Sequence, residues 1–288
     1  MLSTRLATPP RRPLPENACD CHVHICDGDR HPIREHAPYT PPDAPFESHR
    51  AMLDAVGLER SVTVQILAYG EDNDVISDAL VKGHGAMRGI AALTANASDA
   101  ELARLHAAGI RGLRFYFELP RPVTGVQAEG VGIDDLVALA PRMKALNWVA
   151  EISASCDRIV EYAPRLQSLG LPIVLEHMAG CTATMDIQNP RFQRMLGLLS
   201  TGGFWVKLTI CRMSNCAPYF EDLRPVHDAF VSAAPGRMLW GSDWPHILMG
   251  ESAPDIGHLI DVFDDWIDHD EGLRKAILSD NPALLFSF

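Results

Sequence analysis

Eight short strand-like segments separated by helix-like segments predict a single-domain (β/α)8 TIM barrel over residues 17–288. Strands joined by segments of helix length run parallel, because each helical crossover returns the chain to the same end of the sheet. Eight such units in a chain of 288 residues fit a closed barrel better than an open doubly wound sheet. In addition, no glycine-rich dinucleotide-binding motif follows any of the predicted strands.

The predicted strands are short and rich in apolar and β-branched residues, which is typical of strands covered on both faces. In chain order they cover residues 18–25, 61–67, 88–93, 110–117, 147–153, 172–178, 203–210 and 237–242. The proline-rich stretch 27–45 follows the first strand, where a barrel places an active-site loop. Residues 1–16, rich in proline and arginine, are predicted to form a flexible N-terminal arm.

Capping signals mark several of the predicted helices. Ser98, followed three residues later by a glutamate, forms a capping box, and Gly109 ends that helix. Asn189 is suited to an N-cap and Pro190 to the first helical position. A last short helix is predicted over residues 280–286.

Composition excludes several classes of function. The net charge of −12 argues against binding to a nucleic-acid backbone. No apolar run approaches the ~20 residues that span a bilayer, and the N-terminal stretch lacks the apolar segment of a signal peptide. Seven cysteines without framework spacing indicate reduced thiols, so a cytoplasmic location is expected. Strict strand alternation would place Cys19 and Cys21 on the face opposite to the nearby histidines.

Polar residues at the carboxyl ends of the predicted strands indicate the site, since these ends open on one face of a parallel barrel. His22 and His24 share one face of the first strand, His177 ends the sixth, and Asp243 follows the eighth. A single histidine at such a position is usually a hydrogen-bonded core residue. The combination of the four residues instead predicts a catalytic cluster, and a non-catalytic binding barrel would leave it unexplained.

Four stretches carry a resemblance to a known family: DCHVH at 20–24, LEHMAG at 175–180, LWGSDWPH at 239–246 and ILSDNPALLF at 277–286. They resemble the amidohydrolase superfamily, in particular its amidohydrolase-2 group, and are most similar to 2-pyrone-4,6-dicarboxylate hydrolases and related lactonases. The resemblance implies a barrel hydrolase that opens a carboxylated lactone in aromatic-acid or sugar-acid catabolism. The substrate would be 2-pyrone-4,6-dicarboxylate or a related muconolactone-type γ-lactone.

The resemblance also implies catalytic roles. His22, His24 and His177 would donate hydrogen bonds to the lactone carbonyl, and Asp243 would be the general base for water. Binuclear members of the superfamily carry a bridging carboxylated lysine on strand four and histidines on strands five and six. Strand four of this chain offers Arg114 and strand five has no histidine, so a binuclear site lacks ligands. The similarity to the pyrone hydrolases implies that no metal cofactor is required. The alternative is one Zn²⁺ held by His22, His24, His177 and Asp243.

Cationic residues are expected to bind the carboxylates of a small anionic lactone. Arg114 matches an anchor of the pyrone hydrolases, whereas Arg121 and Arg212 match after a shift of one residue. Lys207 and Tyr69 complete the predicted substrate-binding set. The chain departs from the family pattern at Leu67 and Tyr69 after strand two and at Ile152 on strand five, so the substrate is left open.

Two further activities remain as alternatives. One is zinc-dependent decarboxylation of an aromatic or semialdehyde acid, which the missing histidine on strand five disfavours. The other is lactone isomerisation on the same scaffold, in which an internal hydroxyl replaces water as the nucleophile. The sequence leaves the oligomeric state open, with a homo-oligomer as one option.

Overall fold

The computed structural model describes residues 7–118 and 131–288 as a (β/α)8 barrel. Its eight strands are parallel and hydrogen-bonded in chain order, which confirms the predicted fold. The strands are β1 Cys19–Val23, β2 Arg60–Val64, β3 Met87–Ala91, β4 Ile110–Tyr116, β5 Val149–Ser153, β6 Ile173–Leu175, β7 Phe204–Leu208 and β8 Met238–Trp240.

Residues next to the first and last strands close the barrel. The Asp243 backbone N–H donates to the carbonyl of His22, and the His24 N–H donates to the carbonyl of Trp244, both at 2.8 Å. Val23 and Trp244 form a parallel bridge. The two ends of the predicted cluster are therefore joined through the backbone at the seam.

Helices connect the strands and cover the outside of the barrel. They are α1 Phe46–Val56, α2 Asp74–Lys82, α3 Asp99–Ala108, α4 Ile133–Ala145, α5 Cys156–Ser168, α6 Pro190–Ser200, α7 Arg224–Ala233, α8 Ile256–Trp266, α9 Glu271–Lys275 and α10 Asn281–Phe286. The Ser98 hydroxyl accepts from the Glu101 N–H at 3.1 Å, and Asn189 Oδ1 accepts from the Arg191 N–H at 2.9 Å. The capping signals read from the sequence are confirmed.

Apolar side chains fill the barrel interior toward the amino ends of the strands. This interior cluster consists of Cys19, Cys21, Val62, Val64, Ile90, Val149, Val174, Trp205, Leu239 and Phe286. Phe286 comes from α10 and is fully buried against the strands. The polar residues of the same strands lie above this cluster, nearer the carboxyl ends.

The expectation that the cysteines of β1 face away from its histidines is wrong. Asp20 pairs with Ser61 and Val23 with Thr63, so β1 has one more residue than β2 between these two pairs. Such a β-bulge shifts the side-chain alternation. Cys21 and His22 consequently both face the interior, with the thiols in the apolar cluster and the imidazoles toward the open face.

Much of the segment between residues 7 and 16 contacts the α8–α9 side of the barrel. The Thr8 hydroxyl donates to Asp255 at 2.7 Å, and Arg11 pairs with Asp265 at the same distance. Arg274 donates to the carbonyl of Pro13 at 2.7 Å. These contacts show where the second half of the predicted arm lies, and flexibility of the arm stays a prediction.

No helix in the described parts of the chain is both long and apolar enough to cross a membrane. The cytoplasmic location stays a prediction.

Candidate active site

The structure brings the predicted catalytic cluster together at the carboxyl ends of the strands. Asp243 Oδ1 lies 3.2 Å from His24 Nε2, 3.5 Å from His22 Nε2 and 3.7 Å from His177 Nε2. The His22 ring centroid is 4.9 Å from that of His24 and 4.8 Å from that of His177. All four side chains are buried, so one carboxylate faces three imidazoles in a small shielded volume.

The buried carboxylate of Asp20 fixes the strand that carries two of the imidazoles. Its Oδ1 accepts from the His22 N–H at 3.1 Å and from the Ser242 N–H at 3.0 Å. It thereby joins β1 to the segment after β8 that ends in Asp243. Burial raises the pKa of Asp20 to about 6, against the lowering effect of hydrogen bonds from Ser242 and His22.

Gly241 leaves the space that the His22 ring needs. A Cβ on Gly241 would lie 2.7 Å from the His22 Cβ and 3.1 Å from Thr209 Oγ1. Contacts this close would force the neighbouring groups apart. The glycine in the LWGSDW stretch therefore positions the first histidine by its small size.

A left-handed turn brings His177 into the cluster. Alternation along β6 points Glu176 into the barrel and would point His177 outward. Instead, His177, Met178, Ala179 and Gly180 have φ angles of 44°, 55°, 53° and 67°. Gly180 is required there, because a Cβ would lie 2.1 Å from the carbonyl oxygen of Ala154.

A buried ion pair lies behind His22. Lys207 Nζ on β7 is 2.6 Å from Glu151 Oε1 on β5 and 3.1 Å from His22 Nδ1. Glu151 Oε1 is 3.4 Å from the same imidazole nitrogen. The three side chains are fully buried. Lys207 is thus held by a carboxylate and directed at an imidazole, rather than exposed at the floor of a pocket.

Arg114 on β4 forms a second buried ion pair. Its Nε lies 2.6 Å from Glu176 Oε1, and its Nη2 donates to Glu176 Oε2 at 2.7 Å. Its Nη1 donates to the carbonyl of Gln65 at 2.7 Å, and its guanidinium stacks 4.6 Å from the Tyr116 ring centroid. The carboxylate partner of Arg114 is therefore Glu176, which faces the site.

Arg212 contacts the carboxylate of Asp243 through its Nε. Burial tends to raise the pKa of Asp243, but Arg212 and hydrogen bonds from His177 and His24 lower it well below its ordinary value. Asp243 is therefore ionised throughout the neutral range, as a general base must be. Burial lowers the pKa of His22 and of His24, so both imidazoles are neutral there.

The remaining predicted substrate residues are placed differently. The Tyr69 hydroxyl accepts from the Asp27 N–H at 3.0 Å and so fastens the loop after β1. Ile152 packs in the core between strands and helices, and so it does not face the site. Arg121 lies outside the described residues. A role for Tyr69 or Arg121 in substrate binding stays a prediction.

Three residues near the site were not among those predicted. Glu151 could have been found by alternation, since it is paired in register with Arg114 across β4 and β5. Tyr39 comes from the loop after β1, and burial raises its pKa to about 12 although Arg114 and Arg212 act to lower it. His246 is buried, and burial lowers its pKa to about 4. Its Nε2 has no hydrogen-bond partner among the described residues.

The cluster fits a zinc ion only in part. Ligand atoms of His22, His24 and Asp243 lie within 4.8 Å of one another. His24 faces an acceptor at each ring nitrogen, with Nδ1 at 2.8 Å from the carbonyl oxygen of Val64 and Nε2 at 3.2 Å from Asp243 Oδ1. The Lys207 ammonium can only donate to His22 Nδ1, so neutral His22 keeps its proton on Nε2. The four residues therefore do not fit zinc as a set.

Comparison with known proteins identifies the family. A family model described as Amidohydrolase (Amidohydro_2) matches residues 19–288. The chain belongs to the amidohydrolase family. This finding confirms the resemblance read from the sequence.

Several relatives carry the names of lactone hydrolases. The 4-sulfomuconolactone hydrolase of Hydrogenophaga intermedia is 30% identical over 96% of this chain and 91% of its own length. The 2-pyrone-4,6-dicarboxylate hydrolase of Comamonas testosteroni is 32% identical over 96% of this chain and 92% of its own. A structure from Pseudomonas putida, described as a candidate 2-pyrone-4,6-dicarboxylic acid hydrolase, has a TM-score of 0.80 at 28% identity, covering 95% of this chain and 98% of that one.

Proposed function

We propose that this amidohydrolase opens a carboxylated lactone by hydrolysis, in the breakdown of aromatic or sugar acids. The substrate is 2-pyrone-4,6-dicarboxylate or a related muconolactone-type γ-lactone. The observation that carries the proposal is an ionised carboxylate, Asp243, facing three buried imidazoles across 3.2 to 3.7 Å. The names of the relatives support the substrate class.

In the proposed reaction Asp243 takes a proton from water as the water oxygen forms a bond to the lactone carbonyl carbon. The carbonyl oxygen gains negative charge, which hydrogen bonds from imidazole groups stabilise. The ring C–O bond then breaks, and the proton held by Asp243 passes to the departing enolate or alkoxide oxygen. The product carries one new carboxyl group, and the enzyme returns to its starting state.

Cations near the cluster would bind the substrate carboxylates. Arg212 is part-exposed and contacts Asp243, so a carboxylate bound by it lies next to the base. Arg114 already pairs with Glu176, and Lys207 already pairs with Glu151. The positive charges of these two residues are therefore balanced by buried carboxylates. We expect Arg212 to be the main anchor among the described residues.

The proposed reaction needs no metal. A nitrogen that binds zinc needs a lone pair, whereas His22 Nε2 carries a proton. Arg212 supplies the positive charge beside Asp243. We expect chelation with dipicolinate to leave turnover unchanged. Reversible loss of activity, restored by zinc, would show that a metal is required.

A panel of carboxylated lactones in H₂¹⁸O tests the function and separates it from the alternatives. Hydrolysis places one ¹⁸O atom in the product carboxylate, which mass spectrometry detects. Isomerisation gives a product of unchanged mass without the label, and decarboxylation releases CO₂. Either of these outcomes, or no turnover of any lactone in the panel, would contradict the proposal.

A further inference from the structure

The two histidines of β1 have opposite hydrogen-bond partners at the same ring atom. His24 Nδ1 faces the carbonyl oxygen of Val64 at 2.8 Å, and His22 Nδ1 faces the ammonium of Lys207 at 3.1 Å. A carbonyl oxygen can only accept, and an ammonium can only donate. Neutral His22 must therefore carry its proton on Nε2. His24 has an acceptor at each ring nitrogen, because Asp243 Oδ1 lies 3.2 Å from its Nε2, so its contacts do not single out one nitrogen.

From this we infer that Lys207, positioned by Glu151, makes His22 a hydrogen-bond donor at Nε2. Both Nε2 atoms face Asp243 Oδ1, at 3.5 Å for His22 and 3.2 Å for His24. The assignment of the His22 tautomer follows from its contact with Lys207. The chemical roles described next rest on the proposed lactone hydrolysis.

The proton on Nε2 gives His22 a function of its own. His22 Nε2–H has no partner within hydrogen-bond distance among the described residues, so it is available to the developing oxyanion. His24 Nε2 instead contacts Asp243 Oδ1 at 3.2 Å, so its ring lies against the general base. Of the two imidazoles on β1, His22 is therefore the one positioned to polarise the carbonyl.

Glu151 has a specific part in this arrangement. Its Oε1 lies 2.6 Å from Lys207 Nζ and 3.4 Å from His22 Nδ1. The first distance is that of a strong charge-assisted hydrogen bond, whereas the second is beyond the usual ~2.7–3.2 Å range. Lys207 is therefore the hydrogen-bond partner of His22, and Glu151 holds Lys207 in place as a positioning residue.

The inference is tested first on the unmodified protein. Nitrogen-15 NMR of histidine-labelled enzyme distinguishes protonated from bare ring nitrogens, and His22→Gln and His24→Gln variants assign the signals. We expect a protonated Nε2 and a bare Nδ1 in His22. A bare Nε2 in His22 would overturn the inference.

The Lys207→Met variant tests the cause. Without the ammonium, His22 Nδ1–H can donate to Glu151 Oε1, and Nε2 then loses its proton. We expect the His22 tautomer to switch, kcat to fall about 10²-fold as for a lost oxyanion donor, and KM to stay nearly unchanged. Because His22 Nε2 then has a lone pair, which a metal ligand requires, the variant should also gain one bound zinc per chain, measured by calorimetry and elemental analysis.

A matched control is Arg274→Met, which removes another buried ion pair. Arg274 contacts Asp264 at 2.7 Å and the carbonyls of Arg12 and Pro13, none of which belongs to the site. It should lose stability without a change of tautomer, kcat or zinc binding. An unchanged His22 tautomer in Lys207→Met would contradict the role of Lys207. If Lys207→Met fails to fold, the spectrum of the wild type still decides.

The outcomes separate this inference from the proposed function. Lactone hydrolysis together with a bare Nε2 in His22 would refute the inference and leave the function intact. The predicted His22 tautomer in a protein that hydrolyses no lactone would refute the function and leave the tautomer assignment intact.

Discussion

Asp243 Oδ1 lies 3.2 Å from His24 Nε2 although 218 residues separate the two in the chain. Their meeting is produced by the seam of the barrel, where the backbone N–H of Asp243 donates to the carbonyl of His22. The position of the carboxylate is therefore set by main-chain hydrogen bonds, and the imidazoles of β1 are set by the same bonds. This arrangement allows side chains of the cluster to be changed one at a time.

Asp243→Asn should abolish most of the lactone hydrolysis. An amide cannot accept the proton of the attacking water, and loss of a general base costs about 10² to 10⁴-fold in rate. Steady-state kinetics measure the effect, and calorimetry with a non-hydrolysable carboxylated analogue should show that binding is retained. Asp54→Asn, at an exposed carboxylate paired with Arg50, is the control. Hydrolysis within about tenfold of wild type would exclude Asp243 as the base.

Arg212→Met should move the acid limb of the pH–rate profile upward. Arg212 lowers the pKa of Asp243, so in the wild type the base stays ionised as the pH falls, well below the ordinary carboxylate range. Removing the guanidinium raises that pKa, so activity is lost at a higher pH than in the wild type. The measurement is kcat/KM between pH 3 and pH 8, with the part-exposed Arg224→Met as control. Superimposable profiles would argue against this contact.

Gly241→Ala should disable the site through His22. The new Cβ would lie 2.7 Å from the His22 Cβ, and overpacking of this kind costs about 1 to 3 kcal/mol of stability. We expect kcat to fall at least tenfold, because His22 is displaced from Lys207. Gly236→Ala is the matched control, since a Cβ there meets no atom within 4 Å. Equal effects of the two substitutions on kcat would contradict the explanation.

Asp20→Asn should stabilise the protein increasingly as the pH rises from 4 to 7. The pKa of Asp20 is raised from 3.8 to about 6, so in that interval the folded state holds a proton that the unfolded state has lost. Wild-type stability consequently falls with rising pH, by up to about 3 kcal/mol from this group. Asparagine keeps the Oδ1 acceptor for the His22 and Ser242 N–H groups.

Urea denaturation at pH 4, 5.5 and 7 measures the stability difference between Asp20→Asn and the wild type. The difference should grow across this range in favour of the variant. A difference that is the same at all three pH values would show that Asp20 does not titrate in this way.

The sequence predicted the fold and the four residues of the cluster because both depend on simple periodicities. Eight strands alternate with helices, and parallel strands end on one face. The sequence alone therefore placed four residues at that face: His22, His24, His177 and Asp243. What could not be predicted depends on local departures from these rules. The bulge in β1 and the left-handed turn at His177 change the direction of side chains that alternation alone would assign.

The buried ion pairs were missed for a different reason. Four charged side chains point inward from the strands or their carboxyl ends: Glu151, Lys207, Arg114 and Glu176. The partner of each depends on how far the strands are staggered around the barrel. Arg114 is in register with Glu151 and yet pairs with Glu176, one strand farther on. Stagger is a property of the closed sheet, so the single sequence could not decide between these partners.

The seam has a consequence for how the enzyme assembles. His22 and His24 sit on the first strand of the barrel sheet and Asp243 follows the last, so these residues meet only when all eight strands have paired in order. Contacts between such distant segments form late, because a large loop must close before they are made. We therefore expect partly folded forms of the chain to be catalytically inactive. Recovery of turnover during refolding should then report the final step of barrel formation.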